Sequence, residues 1–208
     1  MLTLQIALSF FGIAVLLALA PGPDNVFVMT QAALWGRSAG LYVVLGLCTG
    51  LIGHTAAVAV GLAALVAASP TAFTVLKLLG AAYLVYLAWG AFRAPVGADK
   101  AARPAQLSRG ALFRRGVVMN LTNPKVSLFF LAFLPQFTSA ARGSVALQTI
   151  SLGALFIAAT LLVFGAIAVF SGAFGQLFQR SPTAQRALNW IAGAVFIGLA
   201  LRLAFASQ

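Results

Sequence analysis

Acidic side chains are the scarcest feature of this 208-residue chain, which has no glutamate and two aspartates, Asp24 and Asp99. Histidine and cysteine occur once each, as His54 and Cys48. Metal sites and catalytic dyads need several such side chains close together, so the composition argues against a metal centre and against an enzyme. A single cysteine also excludes an internal disulfide and a dithiol redox pair.

The chain also lacks a glycine-rich phosphate-binding motif and a polar segment that could form an ATP-binding domain. Only 7% of its residues are charged, whereas 62% are hydrophobic. A soluble domain of this size could not cover so much apolar surface. We therefore predict an integral membrane protein without a cofactor, in which any transport is driven by a gradient or by a partner.

Apolar runs long enough to cross a bilayer recur along the whole chain. About 20 apolar residues span a hydrocarbon core of about 30 Å. We predict an all-α fold with a single transmembrane domain, residues 1–208, whose six spans lie at residues 3–20 with an extension to 34, 39–67, 70–92, 116–138, 145–172 and 184–205. The first apolar run has no preceding Lys or Arg, so we expect it to be a span and not a cleaved signal peptide.

The net charge of +11 is spread along the flanks of the spans and forms no patch for a nucleic acid. Of the basic residues that flank the spans, nine lie on one side of the membrane and two, Arg142 and Arg202, on the other. The positive-inside rule then predicts that the loop at residues 93–115 is cytoplasmic and that both termini are periplasmic.

A repeated tetrapeptide indicates two related halves. Ser-Pro-Thr-Ala occurs at residues 69–72 and 181–184, where Ser is a candidate N-cap and Pro the first helical residue of the third and sixth spans. We predict repeats at 1–92 and 116–208, joined by the 93–115 loop. Because each half has an odd number of spans, the second is inverted, an architecture common in transporters with broken helices at the binding site.

Proline motifs interrupt the first and fourth spans at matching places. Helix breaks are predicted at Pro21, Gly22, Pro23 and Pro124. In each motif a new helix can begin within the membrane, with Gly22 or Asn123 as N-cap and the following proline at the first helical position. These restarts are followed by opposite charges, Asp24 and Lys125.

The two charges differ in how easily a helix start accommodates them. An acid in the first turn is favoured by the helix dipole by roughly 0.3–1 kcal/mol. A lysine there opposes the dipole, and a charge near the bilayer centre costs at least about 2.5–3.5 kcal/mol. Lys125 therefore needs a partner, which could be Asp24, an anionic substrate group or water in a cavity.

Two interpretations of this pair remain open. Asp24 and Lys125 could simply pin the broken helices together, or they could belong to a site for a zwitterion such as an amino acid. Gln31 lies on the same helical face as Asp24, and Asn120 lies beside the second break, so both could line the same site. The substrate-binding candidates are Asp24, Asn25, Gln31, Asn120, Asn123 and Lys125.

His54 has a structural and a functional interpretation. It could pack against a neighbouring carbonyl, or it could carry protons together with Asp24, since histidine titrates near neutral pH. On the same predicted helix, Gly46 and Gly50 form a GxxxG spacing, which predicts close contact with another helix.

The chain resembles the lysine exporter superfamily, specifically its homoserine and threonine efflux (LysE/RhtB) branch. The matching segments are APGPDNVFV, GRSAGLYVVLGLCTGLIGH, SPTAFTVLKLLGAAYLVYLAW and NLTNPKVSLFFLAFLPQF. The resemblance implies a bacterial inner-membrane exporter of small amino acids or close derivatives, driven by the proton gradient and assembled as a homo-oligomer. We expect the mechanism to be proton antiport by alternating access. The resemblance also implies that the two proline motifs form the central site. Alternatives are export of a cation or a lactone, or a membrane scaffold that transports nothing.

Overall fold

The computed structural model describes residues 2–68, 70–94, 106–171 and 181–205. These residues form helices, and no strand occurs among them, which confirms the all-α class. In chain order the α-helices are α1 Leu4–Leu19, α2 Pro23–Trp35, α3 Arg37–Ala68, α4 Pro70–Arg93, α5 Arg109–Leu121, α6 Pro124–Leu128, α7 Val145–Phe170 and α8 Pro182–Phe205.

Six membrane spans account for these helices. The helices α3, α4, α7 and α8 each contain a stretch long and apolar enough to cross a bilayer. The other two spans are bent pairs: α1 and α2 meet at 65°, and α5 meets the segment Pro124–Phe137 at 48°. This arrangement confirms six spans in which the first and the fourth are broken. Each half of the chain contains a broken span followed by two continuous spans, which is the order that two repeats require. The inverted relation of the two halves stays a prediction.

Proline and capping residues produce the breaks as predicted. A proline lacks an N–H and clashes with the preceding turn, so a helix ends before it and restarts with the proline in first position. Gly22 is the N-cap of α2, and Asn123 caps α6 by accepting a hydrogen bond from the Lys125 N–H at 3.0 Å. Ser181 caps α8 in the same way, through the Ala184 N–H at 3.3 Å. The other predicted serine cap, Ser69, lies outside the described residues.

The chain beyond α6 departs from α-helical geometry. A π-helical turn, Phe129–Phe133, is followed by a 3₁₀ turn, Leu134–Phe137. Both turns lie in the protein interior, where Phe10 of α1 packs edge-on against Phe137 at 5.2 Å between ring centroids. Irregular backbone at membrane depth is tolerated where protein surrounds it, and this aromatic core provides that environment.

The helices α3 and α5 pack closely because small residues face each other. A Cβ atom added to Gly46 would overlap the carbonyl oxygen of Phe113 and lie 2.9 Å from the Cα of Gly116. One turn later, a Cβ on Gly50 would lie 2.6 Å from the Asn120 Oδ1. The predicted close contact of the GxxxG pair is confirmed, and it places Asn120 against the backbone of α3.

The helix α5 is longer at its start than the span predicted from hydropathy. The fourth span was expected to begin at residue 116, but α5 begins at Arg109, so its first turns occupy part of the predicted 93–115 loop. Charged Arg114 and Arg115 lower the hydropathy there without disfavouring a helix, and Ser108 caps the helix through the Ala111 N–H at 3.3 Å.

Arg142 and Arg202, the two basic residues that the parity of the loops assigns to the same side of the membrane, lie close together. Arg142 donates from its Nη2 to the Phe137 carbonyl at 2.8 Å, and the Arg202 guanidinium lies 4.6 Å from the centre of the Phe137 ring. The two therefore share one end of the molecule. Which end faces the cytoplasm stays a prediction.

Candidate functional site

The two helix breaks meet in the protein interior. The Asn123 Nδ2 donates to the Asp24 Oδ2 at 2.7 Å, and the exposed fractions of the two side chains are 8% and 4%. Since the other end of the Asn123 amide caps α6, this one side chain joins the starts of the two restarted helices. The bond connects residues of different halves of the chain.

Lys125 is held by the end of α1. Its Nζ donates to the carbonyls of Leu17 at 3.3 Å and Ala20 at 3.2 Å. These carbonyls are at the negative end of the α1 dipole, which favours a cation by roughly 0.3–1 kcal/mol, and by more where the site is partly buried. The partner that Lys125 requires is therefore a helix C-terminus, which was not among the candidates considered from the sequence.

The carbonyls at the end of α1 find further donors. A helix leaves its last four carbonyls without partners in the helix, and in a membrane no solvent replaces them. The Leu16 carbonyl accepts from the Ala20 N–H at 3.0 Å, and the Ala18 carbonyl accepts from the Asn25 Nδ2 at 2.8 Å. Asn25 and Lys125 thus complete the hydrogen bonding of a helix that ends inside the protein.

His54 has the corresponding role at the end of α5. Its Nε2 lies 3.2 Å from the Asn120 carbonyl oxygen, and because a carbonyl can only accept, this nitrogen carries the proton. The imidazole also packs against Phe130, at 5.5 Å between ring centroids. This is the contact with a neighbouring carbonyl that we expected if the role of His54 is structural. A role of His54 in proton transfer stays a prediction.

A small cavity of about 20 Å³ lies between the breaks and α7. Its polar lining comes from Asp24, Asn120, Lys125 and Thr160, and the remaining lining is apolar, from Leu17, Ala18, Leu47, Val126, Phe156 and Phe164. One water needs about 10–15 Å³ by this measure, so the cavity has room for about one. An amino acid is much larger than a water molecule, so the cavity in this conformation is too small to hold one.

Two acceptor atoms of residues that line the cavity have no hydrogen-bond donor among the described residues. The Asp24 Oδ1 and the Asn120 Oδ1 are buried, and neither has a partner within the described part of the chain. Leaving a buried acceptor unpaired costs about 1–3 kcal/mol. The Lys125 ammonium has three N–H donors, and the two carbonyls of α1 use two of them. The cavity thus offers acceptors for one ligand group and a cationic donor for another.

The structure brings some of the predicted site residues together and separates others. Asp24, Asn120 and Lys125 line the cavity. Asn25 and Asn123 are not among its lining residues, but Asn25 bonds to the Ala18 carbonyl and Asn123 bonds to Asp24. Gln31 is buried but, like His54, is not among the described residues that line the cavity.

The sequence did not identify the contribution of α7. Phe156, Thr160 and Phe164 line the cavity at intervals of four residues, which places them on one helical face. A threonine and two phenylalanines are ordinary residues in an apolar span, so no pattern distinguished them. As for metals, the described residues contain no group of three or more His, Cys, Asp or Glu side chains that could hold an ion.

Comparisons with known proteins agree on the type of protein. The LysE type translocator family matches residues 8–207. A homoserine/homoserine lactone efflux protein of Salmonella typhimurium is 35% identical over 92% of each chain. An uncharacterised membrane protein of Vibrio cholerae is 34% identical over 98% of each chain. An uncharacterised membrane protein of Bacillus subtilis is 29% identical over 94% of this chain and 96% of the relative. No solved structure matches the chain.

Proposed function

The chain belongs to the LysE type translocator family, and we propose that it exports a small amino acid or a close derivative across the bacterial inner membrane in exchange for protons. The observation that supports this proposal is the cavity between the helix breaks, with an unpaired carboxylate oxygen and a lysine in its lining. The efflux protein similar to this chain is named for homoserine and its lactone, which are compounds of this class.

The ammonium group of the substrate would bind to the unpaired acceptors. The Asp24 Oδ1 and the Asn120 Oδ1 are buried without a donor, and both residues line the cavity. A primary ammonium has three N–H groups and can pair with both oxygens. Because one of them belongs to a carboxylate, the contact is a charge-assisted hydrogen bond, which is stronger than a neutral one.

The carboxylate of the substrate would bind beside Lys125. The remaining N–H of the Lys125 ammonium is available to it, and the N-terminus of α2 is close by, because a Cβ on Gly22 would lie only 3.4 Å from the Lys125 Nζ. Free N–H groups at a helix start favour an anion. A zwitterion therefore complements both charges of the site, whereas a simple cation would leave Lys125 without its anion.

Proton exchange would follow from competition for Asp24. In the proposed mechanism the carboxylate binds either the substrate ammonium or a proton, so release of the substrate on one side is followed by protonation there. The cavity must open alternately to the two sides of the membrane, which makes the exchange stepwise. A homoserine lactone keeps the ammonium but has no carboxylate, so it would depend on Asp24 and much less on Lys125.

The test is export from proteoliposomes loaded with labelled homoserine, with and without a pH gradient. Asp24→Asn should abolish the effect of the gradient, and Lys125→Met should reduce export of homoserine far more than export of its lactone. Lys77→Met, which removes a lysine of α4 outside the residues that line the cavity, is the control and should keep export. A wild-type protein that is folded in the membrane but moves neither compound would contradict the proposal.

A further inference from the structure

We propose that Thr160 recognises the side chain of the exported amino acid and gives preference to a short side chain with a hydroxyl group. This inference rests on the proposed function of the cavity. If the ammonium binds Asp24 and Asn120 and the carboxylate binds Lys125, the third substituent of the substrate Cα faces the remaining wall. The face of α7 that contains Thr160 supplies that wall.

The Thr160 hydroxyl differs from the threonine hydroxyls of α3. Thr55 donates to the Leu51 carbonyl at 2.7 Å, and Thr49 donates to the Leu45 carbonyl at 2.9 Å, each one turn back along its helix. Such bonds satisfy a hydroxyl in an apolar environment. Thr160 makes no bond of this kind among the described residues, although its side chain is only 2% exposed and borders the cavity.

The neighbours of Thr160 limit the kind of side chain that fits. Phe156 and Phe164 lie one turn before and one turn after it on the same face of α7, and both line the cavity. On this face of α7, Thr160 is thus the one hydroxylated residue among those that line the cavity. A charged or long side chain would lose its hydration there without a partner, whereas a short hydroxylated one can bond to Thr160.

The size of the expected effect follows from one neutral hydrogen bond. A net contribution of about 0.5–1.5 kcal/mol corresponds to a factor of roughly 2 to 12 in binding. A site with a hydroxyl partner also rejects an analogue that lacks the hydroxyl, because the partner is then left unpaired. We therefore expect homoserine to be preferred over 2-aminobutyrate, which has the same carbon chain without the hydroxyl.

The matched pair of variants for this test lies on one helix. Thr160→Val removes the hydroxyl and keeps the branched shape. Thr149→Val makes the same change in a side chain that is fully buried, has no hydroxyl partner within the described residues and does not line the cavity. The measurement is the ratio of kcat/KM for homoserine to that for 2-aminobutyrate, in proteoliposomes with a fixed pH gradient.

We expect Thr160→Val to lower this ratio about 2- to 12-fold and Thr149→Val to leave it unchanged. Thr160→Ser keeps the hydroxyl and should retain the preference, which provides a test even if the valine variant does not fold. An unchanged ratio in Thr160→Val, an equal loss in both valine variants, or a loss in Thr160→Ser would each overturn the assignment. If wild type transports neither compound, the proposed function itself fails.

Discussion

Replacing Gly46 by alanine tests the contact that holds α3 and α5 together. The added Cβ would overlap the Phe113 carbonyl oxygen and lie 2.9 Å from both the Gly116 Cα and the Val117 nitrogen. All of these are main-chain atoms, which no rotamer change can move away. The helices must therefore separate, and the separation would extend towards Asn120 in the cavity.

The free-energy cost of this overlap can be measured separately with the help of a second glycine of α3. Overpacking costs about 1–3 kcal/mol. Exchange of glycine for alanine within a helix gains about 0.8–1 kcal/mol, which offsets part of that cost. Gly61 also lies in α3, but a Cβ there would have no atom within 4 Å, so Gly61→Ala shows the helix gain alone. The difference between the two variants therefore gives the cost of overpacking.

The assay is reversible unfolding in mixed micelles with increasing SDS, followed by circular dichroism. Gly46→Ala should have a free energy of unfolding about 1–3 kcal/mol below that of Gly61→Ala. Agreement of the two variants within about 0.5 kcal/mol, the usual range of a neutral surface change, would refute the close packing of α3 and α5 and the position of Asn120 derived from it.

Two further substitutions test neighbouring contacts. Gly50→Ala places its Cβ 2.6 Å from the Asn120 Oδ1 and 2.7 Å from the Asn120 Cβ, which rotation of that side chain cannot move. We therefore expect a free energy of unfolding about 1–3 kcal/mol below that of Gly61→Ala in the SDS assay, together with a higher KM for export, measured over a range of substrate concentrations. His54→Leu removes one of two donors to the Asn120 carbonyl, which keeps its bond from the Asn123 N–H, and should lower the free energy of unfolding by about 0.5–1.5 kcal/mol in the SDS assay. His54→Gln should restore stability and keep gradient-driven export, and a stable variant without gradient dependence would instead make His54 the proton carrier.

The helices could be predicted because their causes are local. Apolar length sets the spans, and a proline sets each break because it lacks an N–H and disturbs the preceding turn. The early start of α5 was not predicted, because hydropathy shows which part of a helix is in the membrane and not where the helix begins. Ser108, three residues before Ala111, was the local signal for the true start.

The site could be predicted only in part. Asp24 and Lys125 stood out because charge is rare in the spans. The bonds of Lys125 to the Leu17 and Ala20 carbonyls could not be found, because every residue has a carbonyl and only the folded end of α1 leaves these free. Thr160 was missed for a related reason, since its importance depends on the packing of α7 against two breaks far away in the sequence.

The bonds around the cavity run between the two halves of the chain, and this has a consequence for transport. Asn123 and Lys125 bond to Asp24 and to the end of α1, while His54 bonds to the end of α5. Separating the halves at the empty site would break these bonds, and only water that enters the opened cavity could then replace the partners. A substrate with an ammonium and a carboxylate can take over part of this bonding. We therefore expect the empty protein to stay closed, and the zwitterion to lower the cost of the movement that carries it across.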